Sequence, residues 1–252
     1  MANNLLKKSY QHKDLKEIPF NHLWNTKGVF TTIRLTGSTA NFIHLKEHLR
    51  NLNNSLKKLN INFAFTQKKF EILVKNKFKN NINYNHLLRI AVNNKIISID
   101  LRKRVNPNKF FKGLLMNYQR TQPTIKNLNY KKIFQFLKPL SLKSEEIILY
   151  KNNLILEGAT TNLIFVKNKK LYLPKKNYYF GITLKFIIKH TKRKIMKTNI
   201  YLQKINEFDE ILLVGSGKGV VALNNIPQLR WKNKGHVIYK ELQELYNSNI
   251  ER

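Results

Sequence analysis

Six of the nine glycines in this 252-residue chain are gathered at four places: Gly28, Gly158, Gly181 and the run Gly215-Ser216-Gly217-Lys218-Gly219. Each place adjoins a short run of β-branched, aromatic or aliphatic residues. A chain this poor in glycine keeps it where the backbone takes conformations closed to other residues. Those turns therefore mark where the regular elements begin and end.

The stretch 28–35 is β-branched and aromatic and predicts a strand, closed by a turn at Gly37-Ser38. Phe42, Leu45, Leu49, Leu52, Leu56 and Leu59 recur at spacings of three and four, predicting a helix over 42–59. A second amphipathic helix is expected over 66–74, then a strand over 87–92 with 95–101 as its hairpin partner. The interval 106–123, broken by Pro107, reads as a linker leading to a helix over 127–136. Beyond it come strands at 146–150, 154–156, 162–166 and 171–173, with turns at Asn152-Asn153, Glu157 and Asn168. A helix follows from Gly181 to about residue 193, and a buried strand at 210–214 delivers the chain into the 215–219 loop. Short hairpins with single inserted helices imply an α+β fold in two domains. The expected division is a small domain over 1–105, a linker over 106–123 and a larger domain over 124–252.

The formal charge of +33 raises the question of a polyanionic partner. Only nine of the 47 basic residues are arginine, and the lysines are spread from end to end rather than focused on a footprint. Nucleic acid is therefore not the expected partner, and the basic-aromatic stretch 101–112 is read as solvated linker. Without cysteine there is neither a disulfide framework nor a thiolate metal site, which suits a reducing compartment. No apolar run reaches the length of a membrane span, so a soluble cytoplasmic protein is expected.

Lys126, Glu157 and the two glycine turns at 181 and 215–219 are the parts needed to hold pyridoxal phosphate. A lysine can bond covalently to the cofactor, a carboxylate can face the pyridine nitrogen, and N–H groups at helix starts can take the phosphate. Read alone, Lys126 is one surface lysine among many and Glu157 a turn-capping glutamate. The 215–219 loop lacks the Gly-Lys-Ser/Thr ending of a P-loop and the third glycine of a dinucleotide fingerprint. His44-x-x-Glu47-His48 matches an inverted zincin pattern, but five residues match readily by chance and no metal is expected.

The stretch Glu157-Gly158-Ala159-Thr160-Thr161-Asn162-Leu163-Ile164-Phe165, with Lys126 upstream and Gly181-Ile182-Thr183 downstream, resembles the fold type IV pyridoxal phosphate enzymes. This class IV aminotransferase family, D-amino acid aminotransferase-like in fold, includes branched-chain and D-amino acid aminotransferases and aminodeoxychorismate lyase. Phe30-Thr31-Thr32-x-Arg34 and Ile125-Lys126-Asn127-Leu128-Asn129 look most like the lyase. The resemblance implies a homodimer whose cofactor is held by Lys126, Glu157, Asn162, Gly181, Ile182, Thr183, Gly215 and Ser216. It implies a lyase releasing pyruvate and 4-aminobenzoate from 4-amino-4-deoxychorismate, with Lys126 as base and Lys126, Thr31 or Thr32 as candidates to protonate the leaving oxygen. An aminotransferase, or a basic binding protein without cofactor, are the alternative activities on this fold. Two places depart from the pattern: Asn51 stands where the family's arginine clamps the phosphate, with Arg50 and Lys218 as candidate substitutes, and Asn25-Thr26-Lys27-Gly28 replaces the usual Gly-Asp-Gly before the strand.

Overall fold

The computed structural model describes residues 4–78 and 82–250, which divide into two α+β units. The first unit holds the residues up to Arg104 together with Ile125–Lys132; the second holds Val105–Thr124 and the residues from Ile133 onward.

In the first unit, β1 (Asn4–Gln11), β2 (Glu17–Ile18), β3 (Gly28–Gly37), β4 (Asn41–Phe42), β5 (Tyr84–Asn93) and β6 (Ile96–Lys103) form one sheet. Its order is β2-β1-β6-β5-β3-β4, with antiparallel pairing throughout. The helices α1 (Leu45–Lys58) and α2 (Gln67–Leu73) bury Leu49, Leu52, Leu56 and Phe70 in the same core as Val29, Ile33 and Leu35 of β3. Phe42, expected in α1, instead pairs with Leu35 in β4 and packs its ring against Phe70 and Phe78 at 5.0 and 5.2 Å. Its spacing from Leu45 fits a helix, but the backbone breaks at His44, which takes φ 54°. At the far end Ile61 N donates to Leu56 O and Asn60 N to Lys57 O, while Asn60 adopts φ 55°. This is a Schellman stop with asparagine in the position usually given to glycine.

The second unit is built on a ten-stranded sheet. Its strands are β7 (Phe110–Asn117), β8 (Glu145–Lys151), β9 (Leu154–Gly158), β10 (Asn162–Lys167) and β11 (Lys170–Pro174). The remaining five are β12 (Ile195–Thr198), β13 (Ile200–Tyr201), β14 (Glu210–Gly215), β15 (Gly219–Ile226) and β16 (Trp231–Lys232). The order is β12-β11-β10-β14-β15-β7-β8-β9-β13, with β16 on β15. The stretch expected as a linker thus carries β7, parallel to both neighbours in the middle of the sheet. Lys112 and Gly113 disguise it. Gly113 belongs there because a Cβ would lie 2.7 Å from Ile148 Cδ1.

Three helices complete the chain: α3 (Lys131–Leu137), α4 (Ile182–His190) and α5 (Val237–Ile250). Along β10, Ile164 and Val166 join the core containing Leu184 and Leu242 of α4 and α5, while Leu163 and Phe165 join the opposite core with Trp231. The sheet is buried on both faces, which is why 211–214 reads as an unbroken apolar run. Glu210 accepts from the N–H groups of Ile238 and Tyr239 and so receives the start of α5. Among the described residues no helix is long and apolar enough to cross a membrane.

Candidate active site

Lys126 does not occupy a helix start. Its carbonyl accepts from Phe30 N and Leu128 N donates to Gly28 O, both at 2.9 Å, so 126–128 runs antiparallel along the start of β3. The helix expected at residue 127 begins at Lys131. Gly28 makes this approach possible, since a Cβ there would lie 2.5 Å from Val92 O and 2.7 Å from Leu128 Cδ1. Lys126 is paired with Phe30, on whose face of β3 its ammonium lies 5.0 Å from the ring centroid. Trp24 and Tyr130 pack on the same ring at 4.9 and 5.1 Å. Arg89, opposite Thr32 in the sheet, lies 4.4 Å over Trp24 and is ion-paired with Asp100.

The two threonines part company here, because successive residues of a strand point to opposite faces. Thr32 shares the face of Phe30 and Lys126. Thr31 turns to the α1 side, buried, with its hydroxyl 2.7 Å from Nδ1 of His48. The second histidine of the zincin-like pattern is thus committed to Thr31, and Glu47 pairs with Arg50. Among the described residues no group of three His, Asp or Glu side chains is placed to hold a metal.

Burial, then the positive charge of Lys126 and then that of His44, push the His48 imidazole down to about 3. Below the ordinary histidine value of 6.5 the unfolded chain binds a proton that the folded chain refuses. Stability contributed by the neutral ring is therefore whole above pH 6.5 and declines as pH falls toward 3, by about 1.4 kcal/mol per unit. Urea unfolding at pH 7 and pH 5 should show this slope in the wild type and lose it in His48→Asn, which retains a polar atom for Thr31. Equal slopes in both proteins would refute a neutral buried His48.

In the second unit Glu157 lies within β9, not in a turn, and is buried. Arg120 grips it with Nε on Oε1 and Nη2 on Oε2, both at 2.7 Å, and Tyr179 N donates to Oε2 at 3.1 Å. Three of the roughly four acceptor sites of the carboxylate are thereby filled, leaving one on Oε1. Asn162 accepts from Gly181 N at 3.1 Å and donates to Tyr179 O, so its amide staples the 179–181 segment to β10. A Cβ on Gly181 would sit 2.6 Å from that amide oxygen. Gly181 is the N-cap of α4, and Ile182 and Thr183 begin its first turn, where N–H groups have no helical acceptor.

The glycine loop is a three-residue turn of the β14–β15 hairpin, closed by the pair Gly215–Gly219. It does not precede a helix, so any anion contact there rests on the turn's N–H groups and the Ser216 hydroxyl. Gly219 takes φ 74°, and a Cβ would also meet the Tyr246 ring at 2.8 Å.

The profile of the amino-transferase class IV family matches residues 28–226. The chain belongs to that family. Solved structures agree in fold. A candidate 4-amino-4-deoxychorismate lyase from Legionella pneumophila superposes with a TM-score of 0.76 at 20% identity, covering 88% of this chain and 91% of that one. A branched-chain aminotransferase from Thermoproteus uzoniensis, determined with norvaline, gives 0.79 at 16% identity, covering 95% and 93%. The branched-chain aminotransferase of Thermobaculum terrenum in its PLP form gives 0.76 at 16% identity, covering 96% and 92%. No curated protein matches the chain by sequence.

Arg50 and Lys218, the candidate substitutes for an arginine at position 51, are both engaged within the fold. Arg50 is 65% exposed on its side chain and pairs with Glu47, and the Lys218 ammonium is bound to buried Glu146 at 2.7 Å. Arg120 is the residue sequence reasoning missed, because it lay in the supposed linker.

Proposed function

We propose that this chain is a pyridoxal-phosphate-dependent lyase that splits 4-amino-4-deoxychorismate into pyruvate and 4-aminobenzoate. The observation that carries this reading is the placement of Thr32, a hydroxyl of the lyase-like Phe-Thr-Thr signature, on the same strand face as Phe30 and Lys126. The residues present suit the cofactor: buried Glu157 keeps one acceptor site for a pyridine N–H, and Arg120 holds that carboxylate in place. Thr183, the first turn of α4 and Ser216 offer neutral donors to the phosphate.

Lys126 would hold pyridoxal phosphate, which when bound would supply the sink for electrons released at the substrate carbon bearing the amine. Lys126 Nζ, free to act as a base, would take the proton from that carbon. The adjacent C–O bond breaks, the ring becomes aromatic, and the enolpyruvyl group leaves to be protonated as pyruvate. The Thr32 hydroxyl donates toward the leaving oxygen; Thr31, engaged with His48, supports the strand from behind. We assign the protein to the cytoplasm as a homodimer, in line with the family resemblance.

The test is to load the protein with pyridoxal phosphate, remove the excess and add 4-amino-4-deoxychorismate. Equimolar pyruvate and 4-aminobenzoate are expected from a protein carrying a visible cofactor band. Bleaching of that band by branched-chain or D-amino acids with release of a 2-oxo acid, and no 4-aminobenzoate, would make it an aminotransferase. A wild-type protein that takes up no cofactor would leave the basic binding protein as the surviving reading.

A further inference from the structure

Glu146 is completely buried, yet no step above uses it. Its Oε2 accepts from Lys218 Nζ at 2.7 Å, Thr160 Oγ1 at 2.5 Å and Thr161 Oγ1 at 3.2 Å, and its Oε1 from Ile147 N at 3.1 Å. Lys218 Nζ also reaches Thr160 Oγ1 at 3.2 Å and lies 4.8 Å over the ring of Phe111. An ion pair with one partner fully buried and the other mostly so is a poor means of stabilising a fold, since apolar residues of similar volume often do as well or better. What this pair does is geometric. It ties the 216–218 turn, which presents Ser216, to the 159–161 turn between β9 and β10. The latter turn connects Glu157 to Asn162, and Gly158 closes it tightly enough that a Cβ would fall 2.2 Å from Thr161 Oγ1.

We propose that Lys218 and Glu146 are positioning residues for phosphate-group recognition at the β14–β15 turn. Lys218, held by Glu146, sets the turn so that the Ser216 hydroxyl and neighbouring N–H groups are aimed before the phosphate arrives. Preorganised neutral donors thereby offset the arginine absent at Asn51. This inference rests on the reading that the turn receives the cofactor phosphate.

Pyridoxal and pyridoxal phosphate differ only in the group concerned, so their ratio of affinities, read from the Lys126-dependent visible band, isolates it. Glu146→Gln/Lys218→Met removes both charges together and leaves no lone buried ion, while Lys218→Met alone tests the cation. In both variants pyridoxal phosphate should bind about ten- to a hundredfold more weakly, the worth of hydrogen bonds to a charged group. Pyridoxal affinity should stay within about twofold. Parallel weakening of both ligands, or no change in either, would refute positioning. If wild-type protein binds pyridoxal as tightly as its phosphate, the positioning role falls while the cofactor reading stands. If it forms no band with either, the cofactor reading falls and takes this inference with it.

Discussion

Lys126→Ala is expected to abolish turnover, a loss of at least about a thousandfold, because in the proposed mechanism one atom serves as both covalent anchor and base. The fold should survive the change. The strand-like pairing of 126–128 with β3 runs through backbone atoms, Lys126 O accepting from Phe30 N and Leu128 N donating to Gly28 O. The side chain contributes a contact with the Phe30 ring, worth about 0.5–1 kcal/mol. Pyruvate release and the urea midpoint, measured on the same preparation, separate the two effects. Near-normal turnover in a folded variant would remove Lys126 from the mechanism.

Arg120→Ala should produce the largest change in stability. It leaves the Glu157 carboxylate buried without its guanidinium and also deletes the bond from Arg120 Nη2 to Pro123 O. Breaking a buried pair by removing one partner costs about 3–5 kcal/mol. In a chain of this size that lowers the melting temperature by roughly 6–20 °C. Arg120→Lys should recover little, since an ammonium cannot make the two parallel bonds that the planar fork makes. Thermal unfolding of both variants beside Glu157→Gln is the check. A loss below about 1 kcal/mol in Arg120→Ala would mean that the pair does not lock the carboxylate.

The sequence disclosed most of the strands because their alternation and their turns are local. Asn152 and Asn153, at φ 49° and 61°, make the two-residue hairpin between β8 and β9 as their type predicts. What it disclosed badly was the reason for the glycines. Gly219 does take a left-handed conformation, but Gly28, Gly158 and Gly181 are there because a neighbouring segment leaves no room for a Cβ. Close approach is set by tertiary structure and leaves no trace in the adjacent residues, whereas asparagine supplies the left-handed turns at residues 60, 152, 153 and 168.

β7 was hidden for a similar reason. A central parallel strand is recognised by its neighbours, and these are not adjacent in sequence: β8 follows after α3 and β15 lies far along the chain. Arg120 had a signal that could have been used. In a chain dominated by lysine, arginine is the basic residue that goes inside, so each of the few arginines is worth weighing as a buried fork. Arg89, Arg104 and Arg120 are buried, and no lysine joins them among the described buried residues.

The first unit takes its last strand-like segment, 125–132, from beyond a stretch that belongs to the second. A protein emerging from the ribosome therefore cannot finish its amino-terminal half before beginning the other. When Lys132 has been added, β7 already exists, with β8 just ahead and its other flanking strand, β15, nearly ninety residues from being made. A fragment ending at Arg104 would lack the segment that lies along β3 and carries Lys126, and one ending at Lys132 would drag an unpaired apolar strand with it. No cut made by position alone yields either half intact, so biogenesis of the two halves is interleaved, and Lys126, the proposed covalent anchor, is delivered at the crossing.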